Sequence, residues 1–200
     1  MAAARRPRAA TEAKRVRILD ATEEIILERG YAAVSSRSVA TRVGIQAPHL
    51  HYYFATIDEL FVAVLHRRAD GTVERLTAAL ESPEPLRAWW GLASDQRGTA
   101  LMVELLAAAN HRPALKAEIA SMAKHVRSFQ VERLAILLDE YGIDQDRFPP
   151  VLIAAAVQGL AFSVVSDQAA GYDTQPDEAA KAVVALLAEL ESRRAERSRT

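Results

Sequence analysis

The stretch VATRVGIQAPHLHYYF, residues 39–54, decides the reading of this chain. A glycine interrupts an apolar pattern, a proline follows four residues later, and two histidines stand two apart before three aromatics. Two short helices joined at Gly44 account for the pattern. Helices that cross closely need a small residue at the crossing, and Ala40 is that residue. The turn between them needs a left-handed backbone position, which glycine adopts without steric cost. Val39, Val43, Ile45, Leu50 and Tyr53 are spaced to join both helices in one small core. With Gln46 as cap, Pro48 falls in the first turn of the second helix, where its missing N–H is not needed. The pattern is a helix-turn-helix whose second helix, about Ala47–Tyr53, starts with exposed residues. In such a motif those residues meet base edges in the major groove.

Outward from this motif the chain reads as all-α, with helical spacing nearly everywhere and no sustained period-2 alternation. Upstream, Ile18, Leu19, Thr22, Ile25 and Ile26 share one face of a helix expected over 11–29, with Gly30 ending it. Ser35 or Ser36 caps the next helix, 36–43. Downstream, Thr56 and Glu59 in ATIDEL have capping-box spacing and open a long helix expected to reach Leu80. ESPEP, residues 81–85, is the clearest break. Further helices are expected near 84–93, 95–109, 112–140, 147–169 and 176–194. The division expected is 1–55 as a DNA-binding domain with a basic N-terminal arm and 56–200 as a helical body.

The 200 residues carry a net charge of −1, unevenly spread. Residues 1–55 hold nine basic and five acidic side chains, a net +4, which leaves −5 for the remainder. A basic end on an acidic body suits a polyanionic partner, although a basic stretch of this kind also serves as a plain solvated face. Cysteine is absent, which excludes disulfides and thiolate metal sites and fits a reducing cytoplasm. The arginine-bearing N-terminus lacks the apolar block of a secretory signal. The longest apolar region, 151–165, is broken by Gln158, Gly159 and Ser163, so no membrane span is expected. His49 and His51 diverge by about 200° on a helix, and no cysteine or carboxylate stands near to complete a metal site. No metal and no cofactor are expected.

The run RILDATEEIILERGYAAVSSRSVATRVGIQAPHLHYYFATIDELFVAVL, residues 17–65, resembles the DNA-binding region of the TetR family of bacterial transcriptional repressors. The marks are ILDA, the helix end ERGY, the serines at 35–36, the turn VA…VGI, and LHYYF followed by TIDEL. The resemblance covers about a quarter of the chain; the later helices fit the family's body in number, length and order. Where the family usually has a Ser or Thr cap and often Lys-Gly, this chain has Gln46, Ala47 and Pro48. The family's lysine near the next helix start is replaced by Ile57. The cap is weaker here and two basic groups near DNA are gone.

For base contact, glutamine suits adenine and histidine the guanine acceptors, so Gln46 and His49 are the candidates. Ala47 and Pro48 suit a thymine methyl. The resemblance implies phosphate contacts from Ser35, Ser36, Arg37, Tyr52 and Tyr53. Arg5, Arg6 and Arg8 form a candidate flexible arm for phosphates or the minor groove. The resemblance also implies an effector-binding, dimerising body. The apolar helix 147–169 and the stripe on the last helix supply Leu152, Ala155, Gly159, Val183, Leu186, Leu187 and Leu190 as a homodimer interface; the competing reading buries both stripes inside one monomer. Effector-pocket candidates are Trp89, Trp90, Met102, Leu105, Leu106, Asn110, His125, Phe129, Gln158 and Phe162, each also suited to ordinary core. Their apolar bias favours a hydrophobic or amphipathic small molecule.

The reading is a homodimeric, ligand-responsive repressor in the cytoplasm, with double-stranded operator DNA and a small molecule as partners. No metalloprotease, phosphate-loop or nucleophile motif is present, so no enzymatic activity is expected. The competing classes are an all-α carrier or enzyme using the body as its site, and a sequence-independent DNA-packing protein.

Overall fold

An alternation of apolar and polar residues at a period near 3.6 sets the architecture, and the computed structural model shows helices throughout. It describes the backbone of residues 5–172 and 175–197, and the side chains of 10–172, 178–194 and 196. No strand occurs among the described residues. The backbone groups into two units, one of residues up to 69 with 100–121, the other of 70–99 with 122 onward.

In the first unit, helix α1 spans Arg5–Arg29, a 3-10 turn follows at Tyr31–Ala33, and then come α2 (Ser36–Val43), α3 (Ala47–Leu50) and α4 (Ile57–Ala69). The face read from the sequence is buried: Ile18, Leu19, Thr22, Ile25 and Ile26 are nearly inaccessible. Thr22 satisfies its hydroxyl by donating to the Ile18 carbonyl at 2.7 Å, as a buried hydroxyl must. α1 starts six residues earlier than expected, so the backbone of Arg5, Arg6 and Arg8 belongs to a helix instead of the flexible arm expected. Pro7 does not prevent this, because the first turn needs no N–H there. The side chains of these arginines lie outside the described residues.

The long helix expected from 57 to 80 is two helices, a correction to the sequence reading. α4 ends at Ala69, and α5 (Thr72–Leu80), in the second unit, starts after Gly71, whose φ of 69° is left-handed. At the start of α4 the Thr56 hydroxyl accepts from the Glu59 N–H at 3.0 Å. The Glu59 carboxylate reaches past the cap to the Ala55 N–H at 2.6 Å.

The remaining helices are α6 (Pro85–Ala93), α7 (Gln96–Ala109), α8 (Pro113–Tyr141), α9 (Pro150–Ala169) and α10 (Gln175–Arg197). Residues of α7 and α8 are divided between the units. The second unit's core gathers Leu76, Leu80, Leu86, Trp89, Trp90, Leu134, Leu137, Tyr141, Ala154, Ala161 and Leu187. One buried carboxylate serves this core. Glu191 accepts from the Leu86 N–H at 2.8 Å and from the Tyr141 hydroxyl. It thereby fills a donor left open at the start of α6. Burial, then the carboxylate beside it, raise the Tyr141 hydroxyl far above its ordinary pKa.

α9 corrects a second expectation. Gln158, Gly159 and Ser163 dilute its apolar run too little to matter, and its 20 residues are long and apolar enough to cross a membrane, by length and composition only. It buries Ala154, Ala161, Val164 and Val165 on one face, while Leu152, Ala155, Ala156, Gly159 and Phe162 on the other stay exposed.

Candidate nucleic-acid interface

The helix-turn-helix is built by complementary local choices. Ser35 has an extended backbone and accepts from the Ser38 N–H at 3.1 Å, while the Ser38 hydroxyl accepts from the Ser35 N–H at 2.9 Å. This reciprocal box fixes where α2 starts. Val39, Ala40 and Val43 are buried, and α2 packs on both α1 and α3. Gly44 ends α2 in the left-handed region, with φ 75° and ψ 38°, and the next N–H, of Ile45, returns to the Ala40 carbonyl at 2.9 Å. That pair of features is the usual way to close a helix and reverse the chain.

α3 then starts with Gln46 as cap, and no side-chain hydrogen bond supports the cap. Pro48 sits in the first turn. Regular helix ends at Leu50, three residues short of the expected limit, and the chain continues as a turn through Tyr53. The Tyr53 and Phe54 N–H groups both return to the Leu50 carbonyl, at 2.9 and 3.0 Å. Leu50 and Phe54 are the buried anchors, whereas Ile45 and Tyr53 are only half-buried. Phe54 was missed as a core residue, although the aromatic run that ends with it was the available signal.

Gln46, Pro48 and His49 are exposed and Ala47 is half-buried, so the start of α3 offers these four side chains outward together. Tyr52 is 78% exposed and meets Tyr53 edge to face, with ring centroids 5.2 Å apart. A large aromatic left this open needs a partner or a solvated polar end. Ser35 and Arg37 are exposed at the start of α2 and Ser36 is half-buried. His51 directs Nδ1 at the Ala55 carbonyl, 3.1 Å away. No group of histidines and carboxylates able to hold a metal occurs among the described residues.

Charge in this region is partly spent inside the protein. Arg42 pairs with Glu24 at 3.0 Å and with Glu28 at 2.5 Å. The hydrogen bond from Arg42 pulls the Glu28 carboxyl below its ordinary pKa, and the same pair, with Glu24, pushes the guanidinium up. Arg17 donates to the Val43 carbonyl at 3.1 Å, at the C-terminal end of α2. Arg15 donates to the Tyr53 carbonyl at 3.3 Å and lies 4.4 Å over the Phe54 ring. These arginines brace the motif, a role that no sequence signal marked. Arg37 is exposed, and no ion pair engages it among the described residues.

The effector-pocket candidates fall in both units. Met102, Leu105, Leu106 and Asn110 belong to the first unit, and Trp89, Trp90, His125, Phe129, Gln158 and Phe162 to the second. Trp89 and Trp90 are core, with Phe129 packed against the same cluster. Leu105 is fully buried, Met102 half-buried, and Leu106, Asn110, His125, Gln158 and Phe162 exposed. An open depression at the turn between α5 and α6, lined by Ser82, Pro83, Glu84, Arg87 and Ala88, contains none of the ten. Of the interface candidates, Leu152, Ala155, Gly159 and Leu186 are exposed. Leu187 is in the second unit's core, with Val183 and Leu190 packed against it.

Residues 18–64 match the family model described as bacterial regulatory proteins, tetR family. Over those residues the chain carries the DNA-binding region of the TetR family. Over 69 residues this chain is 35% identical to the HTH-type transcriptional activator FasR of Mycolicibacterium smegmatis, 34% of this chain and 32% of that protein. It spans about a third of the length of the curated relatives it matches. A putative regulator from Saccharomonospora viridis, solved with choline, superposes with a TM-score of 0.71 at 15% identity, covering 88% of this chain and 96% of that one. The multidrug binding protein EbrR, solved with proflavin, gives 0.56 at 27% identity, covering 88% and 99%. At 15% the choline complex speaks for the fold alone.

Proposed function

We propose that this chain is a TetR-family transcriptional regulator, a cytoplasmic homodimer that represses from a pseudo-palindromic operator and is released by a small apolar or amphipathic molecule. The observation that carries the reading is the start of α3, where Gln46, Ala47, Pro48 and His49 stand outward on a rigid turn closed by Gly44. Gln46 and His49 read base edges, and Ala47 or Pro48 meets a thymine methyl. Ser35, Ser36, Arg37, Tyr52 and Tyr53 hold phosphates, and Arg5, Arg6 and Arg8 add charge. By function, residues 1–55 read DNA and 56–200 sense and dimerise.

Dimerisation is supported by the exposed apolar face of α9, Leu152, Ala155, Gly159 and Phe162, together with Leu186 of α10. Apolar surface of this extent on a helix is normally covered by another protein surface. Val183, Leu187 and Leu190 then act from the core behind it. Two heads so joined place their reading helices about 34–36 Å apart, or more on a longer site. The effector belongs to the body. Proflavin, bound to the EbrR structure above, is a small planar aromatic cation, which supports an amphipathic effector by analogy. An effector that binds the non-binding conformation more tightly releases DNA by population shift.

Fluorescence anisotropy against DNA upstream of the protein's own gene and its neighbours, at several salt concentrations, tests the reading. Tight binding to one fragment with a steep salt slope supports it. Equal affinity for operator and random DNA would make it a packing protein, and catalytic turnover without DNA binding would make it an enzyme. The relative FasR is named an activator, so a promoter-reporter assay decides the sign of regulation.

A further inference from the structure

The reading helices are held by residues far along the chain. Tyr31 opens the 3-10 turn that leads into α2, and its backbone N–H donates to the Glu104 carboxylate of α7 at 2.8 Å. The first N–H groups of a helical turn have no partner within it, and Glu104 supplies one. The turn ends at Ala33, whose carbonyl accepts from the Ser38 hydroxyl of α2 at 2.8 Å. The position given to Tyr31 is therefore passed on to α2.

Arg112, between α7 and α8, holds the same turn by its ring. Its guanidinium carbon lies 5.8 Å from the Tyr31 ring centroid and 4.8 Å from that of Phe61 on α4, both within the range of cation–π attraction. Its Nε stands 3.0 Å from the Asp58 carboxylate in the first turn of α4, close enough for ion pairing though not aligned as a hydrogen bond. Its Nη1 donates to the Ala108 carbonyl at 3.4 Å. The side chain is 23% exposed, so solvent screens these contacts only in part. One carboxylate and one guanidinium thus fix the turn before α2 and tie it to α4, the helix after α3.

The geometry points to Glu104 and Arg112 as positioning residues for DNA reading, setting where α2 and α3 stand against α4 without contacting DNA; this rests on the regulator reading above. Loosening either lets α3 lose its register on the bases while the charges that attract the backbone stay in place. Operator affinity falls and unspecific affinity does not.

The test uses the full-length protein and a duplex that the wild type selects from a random-sequence pool, with an unrelated duplex of equal length beside it. Anisotropy is read at several salt concentrations. Glu104→Leu and Arg112→Met should weaken the selected duplex about tenfold. Affinity for the unrelated duplex and the salt slope should not change, because no phosphate contact is lost. Glu104→Gln, whose amide oxygen still accepts the Tyr31 N–H, should restore binding to within about threefold of wild type. Circular dichroism at the assay temperature checks folding. If Glu104→Leu does not fold, Arg112→Lys, which keeps the charge beside Asp58 and loses the planar face, should bind between wild type and Arg112→Met. Folded variants that bind like wild type overturn the inference, as does a Gln variant as weak as Leu. A salt slope lowered by about one in Arg112→Met makes Arg112 a phosphate contact and overturns it too. A wild type with no preferred duplex overturns the regulator reading, and this inference with it.

Discussion

Two glycines of the DNA-binding head have positive φ, and substituting each separates the left-handed helical region from one that only glycine adopts. Gly44 has φ 75° and ψ 38°, the left-handed helical region, and a Cβ there would find nothing within 4 Å. The cost of Gly44→Ala is then the backbone term alone, about 1–2 kcal/mol. Alanine also restricts the unfolded chain, which offsets about 0.4–1 kcal/mol. The net loss is about 1 kcal/mol, or about 2–4 °C in Tm for a chain of this size. Asparagine tolerates the left-handed region, so Gly44→Asn should be close to neutral. Gly30, before the 3-10 turn, has φ 79° but ψ 162°, a region essentially reserved for glycine. Its Cβ would meet the Glu104 carboxylate at 3.4 Å, an ordinary contact with the end of a flexible side chain. Alanine and asparagine should therefore both cost about 1–3 kcal/mol at Gly30, with no relief from asparagine. Thermal denaturation of the four variants, followed by circular dichroism, reads the difference. If Gly44→Asn melts as low as Gly44→Ala, or if asparagine rescues Gly30, the assignment of these costs to backbone region is wrong.

Tyr52→Ala should weaken every duplex alike with a stability change under about 0.5 kcal/mol, because the ring is exposed. His49→Ala should instead relax base preference, and competition with single-base operator variants distinguishes the two. Leu152→Arg, on the exposed face of α9, should give a folded monomer by sedimentation velocity with much weakened operator binding; a dimer of wild-type strength would place the interface elsewhere. Glu28 titrates below its ordinary value because Arg42 donates to it. Its contribution to stability is present above the ordinary carboxylate pKa and is lost as pH falls through the lowered one. Arg42→Met should return the Glu28 midpoint, followed by carboxyl-carbon NMR, to the ordinary value, and added salt should shrink the difference.

What could be read in advance depended on how far apart the deciding residues lie. Val39, Ala40, Val43, Gly44 and Leu50 fall within twelve positions, and each meets a separate steric demand of one turn, so the local pattern and the burial agree. The break between α4 and α5 was missed because one glycine inside a helical pattern costs only about 1 kcal/mol, too little to end a helix on its own. Asp70 beside Gly71 was the additional turn signal. Counting charges overstated the basic face: Arg42 meets carboxylates from 14 and 18 positions back, and nothing in the spacing shows that α1 brings them there.

The body was harder to read for the same physical reason. The stripe Val183, Leu187 and Leu190 on α10 is apolar whether it faces its own chain or a second one, and periodicity records only that it is covered. The structure gives it to the core of the second unit, while α9 keeps an apolar face toward solvent. Glu104 and Arg112 show the limit more sharply. Glu104 meets Tyr31 across 73 positions and Arg112 meets Asp58 across a span longer than the helix-turn-helix itself. A carboxylate in an apolar helix and an arginine before a proline carry no periodic signature of such partners. The head's own fold is therefore written in neighbouring residues, but the anchorage of that head is written in residues whose meaning appears only once α7 and α8 are in place.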